Sequence, residues 1–300
     1  MFTLMTNKPR ARKNELPMNV LIAEKCGFCF GVKHAIQLAG EMLDQGKNVY
    51  CLGSLIHNQQ VVDRLMDAGL KVVNDVSDIP TETQGEPTPT VLIRSHGCSP
   101  ALLDEVRNRG LNLADATCVL VKRAQKLVKE LHEQGYQVVV VGDPDHPEIR
   151  GVVGYAPNVV VVASKDDLTK VPRCERLAVI SQTTHSAEDF GHLVGELARG
   201  DFHEIKVVNT ICRETTRRQA SALDLCQQVD VMFVLGSPHS ANTGELANIC
   251  RRQGVKTYHL QDWREFKAEF VAGKSTAGVT AGASTPDWII QEFIENLKRL

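Results

Sequence analysis

Three cysteines stand at matched places along this chain of 300 residues. Cys29 lies in "NVLIAEKCGFCFGVKHAIQLAGEML", Cys118 in "LNLADATCVLVKRAQKLVKEL" and Cys212 in "IKVVNTICRETTRRQASALDL". Each follows an apolar, strand-like run and precedes a helical pattern, and their separations, 89 and 94 residues, are similar. A glycine ends the next apolar run 24 residues after each cysteine, at Gly53, Gly142 and Gly236. A histidine follows in each loop beyond, His57, His146 and His239, at offsets of 28, 28 and 27. The spacing predicts three repeats that aim three thiols at one point. Three thiolates make a soft metal site with a position left open, because zinc and iron–sulfur cubanes both normally take four ligands. In a cubane that position is an iron able to act as a Lewis acid attached to an electron reservoir. Three strand-end cysteines packed in a core are the competing reading, but packing alone does not explain equal offsets or the polar loops grouped with them. Cys26 is out of register, and its spacing to Cys29 is by itself a weak signal.

The loops bring a different chemistry. "SLIHNQQ", "RSHGCS", "DPDHPEIRG", "SQTTHS", "GSPHSANT" and "TAGAST" supply imidazoles, hydroxyls, an amide and glycine-flanked backbone donors, with few lysines or arginines. Such a set suits a small diphosphate held at helix starts, although ordinary helix caps use the same residue types. "HPE", His146 to Glu148, is the one place where a carboxylate joins the ring. Near a redox iron and a substrate hydroxyl, that carboxyl could deliver the proton that makes water a leaving group; a surface glutamate is the alternative.

The elements that must position these groups are strands alternating with helices, which argue for parallel sheets covered by helices and ligands beyond the strands' carboxyl ends. The expected fold is α/β, with three pseudo-threefold-related units carrying small parallel sheets around a central metal site. The units are expected at 18–113, 114–206 and 207–300, the last including the C-terminal segment, after a disordered polar tail over 1–17. Met18 opens the first strand-like run and is a candidate alternative start. "SDIPTETQGEPTPT", Ser77 to Thr90, is expected to form a surface loop. A net charge of −2 gives no reason to expect nucleic acid or an anionic membrane as partner. No apolar run is long enough to span a bilayer and no secretory signal opens the chain, so a cytoplasmic protein is expected. Nine cysteines, an odd number, do not suggest a disulfide framework, and Cys51, Cys226 and Cys250 sit in apolar patterns that predict burial.

Together "GFCFGVKHAI", "SHG", "DATC", "HPEIRG", "QTT", "NTICRETTRRQ" and "GVTAGASTPDW" resemble one family, the 4-hydroxy-3-methylbut-2-enyl diphosphate reductases, from about Met18 to the C-terminus. The resemblance implies a 4Fe-4S cluster on Cys29, Cys118 and Cys212, with Cys26 a bystander. It implies a diphosphate resting on His57, His96, His146, Ser240, Asn242 and Ser284, and a proton passing through Glu148 with help from Thr183, which also touches substrate. The implied reaction is reductive dehydroxylation of an allylic diphosphate to isopentenyl and dimethylallyl diphosphates, with ferredoxin or flavodoxin as electron donor. A sensor that binds a cluster or zinc without catalysis, or a paralogue acting on another allylic diphosphate, are the alternatives. Three places depart from the family pattern. Its Asn-Ser-Ser-Asn reads His239-Ser240-Ala241-Asn242, Val119 stands where proline is common, and Asp145 adds negative charge near the expected diphosphate.

Overall fold

The computed structural model describes residues 18–81 and 87–300. The expected tail over 1–17 and the middle of the Ser77–Thr90 loop lie outside the described residues. The chain opens with β1 (Asn19–Ile22), α1 (Phe30–Asp44), β2 (Val49–Leu52), α2 (Gln59–Asp67), β3 (Lys71–Val73), β4 (Thr90–Ile93), α3 (Pro100–Asn108) and β5 (Asn112–Asp115). It continues with α4 (Val119–Glu133), β6 (Gln137–Val141), α5 (Pro147–Val153), β7 (Val160–Val162), β8 (Arg176–Ser181), α6 (Ala187–Leu197) and β9 (Glu204–Val208). The last part holds α7 (Arg213–Cys226), β10 (Val231–Leu235), α8 (Ala241–Arg252), β11 (Lys256–Leu260), β12 (Thr276–Ala281) and α9 (Asp287–Lys298). Among the described residues no helix is long and apolar enough to cross a membrane.

The strands form three four-stranded parallel sheets, ordered β3-β2-β4-β5, β7-β6-β8-β9 and β11-β10-β12-β1. The α/β class and the threefold repetition expected from the sequence are both present. Runs such as Val138–Val141 are apolar throughout because each sheet is covered on both faces, as parallel sheets require. The strand period of two then sorts the side chains: Val138 and Val140 pack under one helical layer, Val139 and Val141 under the other. Phe233 and Met232 divide in the same way in the third sheet. Cys51, Cys226 and Cys250 are buried among apolar neighbours, as their patterns predict.

Sheet and sequence repeat are offset by one strand. The strand leading to each of the three cysteines pairs at the edge of the sheet built by the preceding part of the chain, so β1 closes the third sheet against β12. The boundaries expected at 113/114 and 206/207 accordingly fall inside β5 and β9. This cyclic exchange ties the two ends of the described chain together and makes the threefold arrangement closed.

Each sheet reverses its winding between its two middle strands, and the crevice at their carboxyl ends is where such sheets bind ligands. The loops after β2 and β4 carry His57 and His96, those after β6 and β8 and the start of α5 carry His146, Thr183 and Glu148, and those after β10 and β12 and the start of α8 carry Ser240, Ser284 and Asn242. Gly53, Gly142 and Gly236 open the first loop of each pair, their amides donating to Val73, Val162 and Leu260 carbonyls at 2.8, 3.0 and 2.9 Å. The equal offsets in sequence therefore mark equal places in three sheets.

Candidate active site

Cys29, Cys118 and Cys212 are the N-cap residues of α1, α4 and α7, in extended backbone, and none of their side chains caps its helix. Each cysteine amide donates to a carbonyl in the loop of the neighbouring sheet: Cys29 to Ala283 at 3.1 Å, Cys118 to Ser95 at 3.0 Å and Cys212 to Thr183 at 2.9 Å. Those three carbonyls lie two residues beyond β12, β4 and β8, so one hydrogen bond, repeated threefold, fixes each thiol against the next unit. The thiols are left free to point inward, at helix N-termini whose unpaired N–H groups favour negative charge. Burial pushes the Cys118 thiol up, opposed by the backbone bonds of Leu120 and Val121, and the nearby Cys29 and Cys212 raise it further.

The space between these helices suits a group larger than an ion. Gly31 is one wall: a Cβ there would stand 3.0 Å from Cys118 Sγ. Arg218 is another. It is 4% exposed, donates from Nη1 to the Ala281 carbonyl at 2.9 Å, and has no partner at Nε. Burial lowers its pKa, and the groups that hold its charge are Cys26, Cys29, Glu214 and Cys212. A buried cation facing thiols, with a donor unsatisfied, calls for negative charge in the cavity. The donor set therefore fits an iron–sulfur cluster carried by three thiolates. Cys26 does not line the cavity: it packs against the apolar core around Phe233 and Ile290, and burial pushes its thiol up to about 11.

His57, His96 and His146 form a second cluster, with ring centroids 4.5, 5.5 and 5.3 Å apart and one nitrogen from each within 4.8 Å of the others. Burial, then the neighbouring His146 and Arg94, pushes His57 down to about 4. Burial likewise brings His146 to about 4 and His96 well below the ordinary imidazole range. The rings are thus neutral at pH 7. His146 Nδ1 accepts from the Glu148 amide at 3.1 Å, which leaves Nε2 as its N–H. His57 Nε2, His96 Nδ1 and Asn242 Nδ2 are buried and unpaired. Three imidazoles at this spacing also match a cation site, but the Arg94 guanidinium acts on all three rings and opposes a positive guest. An anion is the guest this field favours.

Glu148 is 2% exposed and is bonded at both oxygens by one residue. The Thr183 amide donates to Oε1 and the Thr183 hydroxyl to Oε2, each at 2.7 Å. Burial raises the pKa, and these two bonds oppose the rise. The surface alternative for Glu148 is removed. Ser240 caps α8, accepting from the Thr243 amide at 3.3 Å, and Ser284 Oγ donates to the His57 carbonyl at 3.0 Å, pinning the third unit to the first. Every residue expected at the site lines one cavity of about 110 Å³.

Sequence reasoning passed over Arg218 and Arg94. A signal existed for the first: six residues after its cysteine, Arg218 occupies the register place that the other repeats fill with Ala35 and Ala124, both buried. A charge at a buried register position is the mark of a partner. His239 stands two residues before Ala241, where the family pattern has a hydroxyl. It is exposed beside the cavity mouth and does not line it, although its charge reaches His57. Ala241 does line the cavity, in the first turn of α8.

Comparison with known proteins agrees with this geometry. The family described as LytB protein matches residues 20–298. Proteins from Geotalea uraniireducens and Trichlorobacter lovleyi, both named 4-hydroxy-3-methylbut-2-enyl diphosphate reductase, are 43% and 44% identical over 94% of this chain and 98% and 99% of their own lengths. A solved structure of (E)-4-hydroxy-3-methyl-but-2-enyl diphosphate reductase, described as the terminal enzyme of the non-mevalonate pathway, superposes with a TM-score of 0.67 at 39% identity, covering 94% of this chain and 100% of that one. The structure of the E-1-hydroxy-2-methyl-but-2-enyl-4-diphosphate reductase from Plasmodium falciparum superposes with a TM-score of 0.88 at 25% identity, over 94% of this chain and 88% of its own. With three thiols at three helix starts, a neutral histidine cluster and a buried carboxyl in one cavity, this chain belongs to the LytB family of 4-hydroxy-3-methylbut-2-enyl diphosphate reductases.

Proposed function

We propose that this chain reduces (E)-4-hydroxy-3-methylbut-2-enyl diphosphate to isopentenyl and dimethylallyl diphosphates, consuming two electrons and two protons and releasing the hydroxyl as water. A 4Fe-4S cluster held by Cys29, Cys118 and Cys212 supplies, when bound, single electrons and a Lewis-acidic iron. Ferredoxin or flavodoxin in the cytoplasm is the proposed electron source.

The diphosphate is held by donors that carry no net charge. His57 Nε2, His96 Nδ1 and Asn242 Nδ2 have no partner within the protein, and the phosphate oxygens supply one. The first-turn amides of α8, at Ala241 and Asn242, add the donors that any helix start leaves free. Arg94 stands behind the histidines and attracts the anion from a distance. Neutral donors bind the substrate and release the product diphosphate, whose charge is the same.

Glu148 holds the proton that leaves with the hydroxyl. Burial favours its neutral form, and the Thr183 amide fixes Oε1, so the proton sits on Oε2 facing the Thr183 hydroxyl. In the carboxylate form the Thr183 hydroxyl donates to Oε2; once Oε2 carries the proton, that hydroxyl turns to accept from it and passes its own proton to the substrate oxygen. The same threonine offers its carbonyl to Cys212, which couples the relay's position to a cluster ligand.

The observation that carries this reading is the buried Glu148 carboxyl, gripped by Thr183 inside the cavity that three cysteines share. A sensor that binds a cluster without catalysis has no use for that acid or for the unpaired histidine nitrogens. The test is anaerobic turnover by reconstituted protein with reduced methyl viologen, beside Glu148→Gln. Both five-carbon products should form in the wild type, and the variant should lose about 10²- to 10⁴-fold in rate, the usual worth of a general acid. An intact cluster with no turnover in the wild type would refute the proposal.

A further inference from the structure

The residues that follow the three cysteines divide, in threefold register, into inner and outer sets. At the second and third places Gly31 and Val32, Leu120 and Val121, Glu214 and Thr215 line the cavity. At the first place Phe30, Val119 and Arg213 face outward. Phe30 is 70% exposed and Val119 62%, more than any other large hydrophobic side chain among the described residues. The fourth and fifth places add exposed Lys33, Lys122, Arg123 and Arg217. Lys122 is paired with Asp115 at 2.7 Å and Arg217 with Glu214 at 3.3 Å. Lys33, Arg123 and Arg213 have no ion pair among the described residues.

Burying neither Phe30 nor Val119 forgoes stability that the fold could have gained, and each is one peptide unit from a thiol. Two exposed apolar side chains at matched helix starts, with exposed basic residues at the neighbouring register places, are the composition of a protein interface whose partner is acidic. The three helix starts add their own positive ends to the same face. We propose that this ring is the docking surface for a small acidic protein that carries single electrons. The inference rests on the reductase reading above, and it adds where the electrons enter: a carrier seated on Phe30 and Val119 stands next to the residues bonded to the ligand cysteines. The charges select for carriers with an acidic rim, and the apolar pair excludes water from the contact. A second copy of this chain is the competing occupant.

The test uses the reconstituted full chain with two donors, reduced flavodoxin and reduced methyl viologen, and compares the wild type with Lys33→Glu/Arg123→Glu and with Phe30→Ser. Expected is a rise of about fivefold or more in KM for flavodoxin, with viologen-driven turnover and cluster absorbance unchanged, and a weaker salt dependence in the charge-reversed variant. A flavodoxin KM that stays within about twofold of wild type at low salt would overturn the proposal. Equal loss with both donors would also overturn it, by showing that these residues act on the site itself. So would a wild-type dimer that the variants dissociate. A wild type that holds its cluster but fails with viologen would instead sink the reductase reading, which keeps the two failures apart.

Discussion

The histidine cluster makes the stability of the cluster-free protein depend on pH in a way that one substitution can dissect. His57 and His146 take up a proton near 6.5 when unfolded and at about 4 when folded. Between those values the unfolded state binds more protons, so the fold loses stability as pH falls. Above 6.5 both states hold neutral rings, and the contribution is fully present. The drop from 6.5 to about 4 is worth about 3 kcal/mol per ring, or about 1.4 kcal/mol for each pH unit crossed. The two rings repel each other when charged, so together they contribute less than twice that. Urea unfolding of His57→Gln at pH 7 and pH 5 should therefore show a pH-dependent loss smaller than the wild type's by about 2 kcal/mol, the share of the shift lying between 6.5 and 5. Inorganic pyrophosphate extends the test, because an anion among the rings favours their protonated forms. Its stabilisation of the wild type should grow from pH 7.5 to pH 5.5. Equal pH dependence in variant and wild type would refute the burial argument. Stabilisation by zinc that fades with acid, without any by pyrophosphate, would show that the rings hold a cation instead.

Arg218→Met should weaken cluster retention and make the cluster harder to reduce. Removing a unit charge from the wall of the site should lower the one-electron potential on the order of 100 mV, measurable by redox titration followed by electron paramagnetic resonance. An unchanged potential would mean that Arg218 answers to something other than the cluster. Cys26→Ser should keep the cluster's visible absorbance while Cys29→Ser loses it, and equal loss in both would show that the two cysteines act as a pair. Ala241→Ser restores a hydroxyl at the mouth of α8. If the free amides of the first turn already serve the diphosphate, substrate affinity by calorimetry should change less than tenfold, whereas a gain near the roughly 1.5–3 kcal/mol of a charged hydrogen bond would show that nothing compensates.

Most of the fold was legible because it is written three times. A strand followed by a cysteine and a helix is weak evidence once, but Cys29, Cys118 and Cys212 with Gly53, Gly142 and Gly236 at one offset leave few arrangements other than a closed threefold one. Which sheet takes the strand before each cysteine was not legible. β1 is a short, mostly apolar strand, and nothing local distinguishes pairing with β2 from pairing with β12; the choice is made by closure of the whole ring. The site divides along the same line. His57, Glu148 and the polar loops were visible from residue type and position, since the carboxyl ends of parallel strands gather ligands whatever the fold's details, whereas His96 and Asn242 were singled out only by the family resemblance. Arg94 and Arg218 act through burial, which is a tertiary property, and among the chain's 34 basic residues neither stands out by type.

The symmetry also explains why the chemistry is one-sided. At the place two residues after the loop histidine, the three repeats carry Gln59, Glu148 and Ala241, so only the second unit has a carboxyl there. The preceding caps differ too: Asn58 caps α2, His146 itself caps α5 and Ser240 caps α8. Because His146 spends Nδ1 on the Glu148 amide, acid and anion cradle are fixed to each other in the second unit. The third unit instead presents a helix start without a side-chain charge, and His239 is turned outward. Three thiols at the same register place of three helix starts give the middle of the site no preferred direction. The direction is set by divergence in the loops, which puts the buried carboxyl on the second unit; on the proposed reading that unit is the proton source, and the rim of the cysteine helices, with Phe30 and Val119, is the approach for electrons.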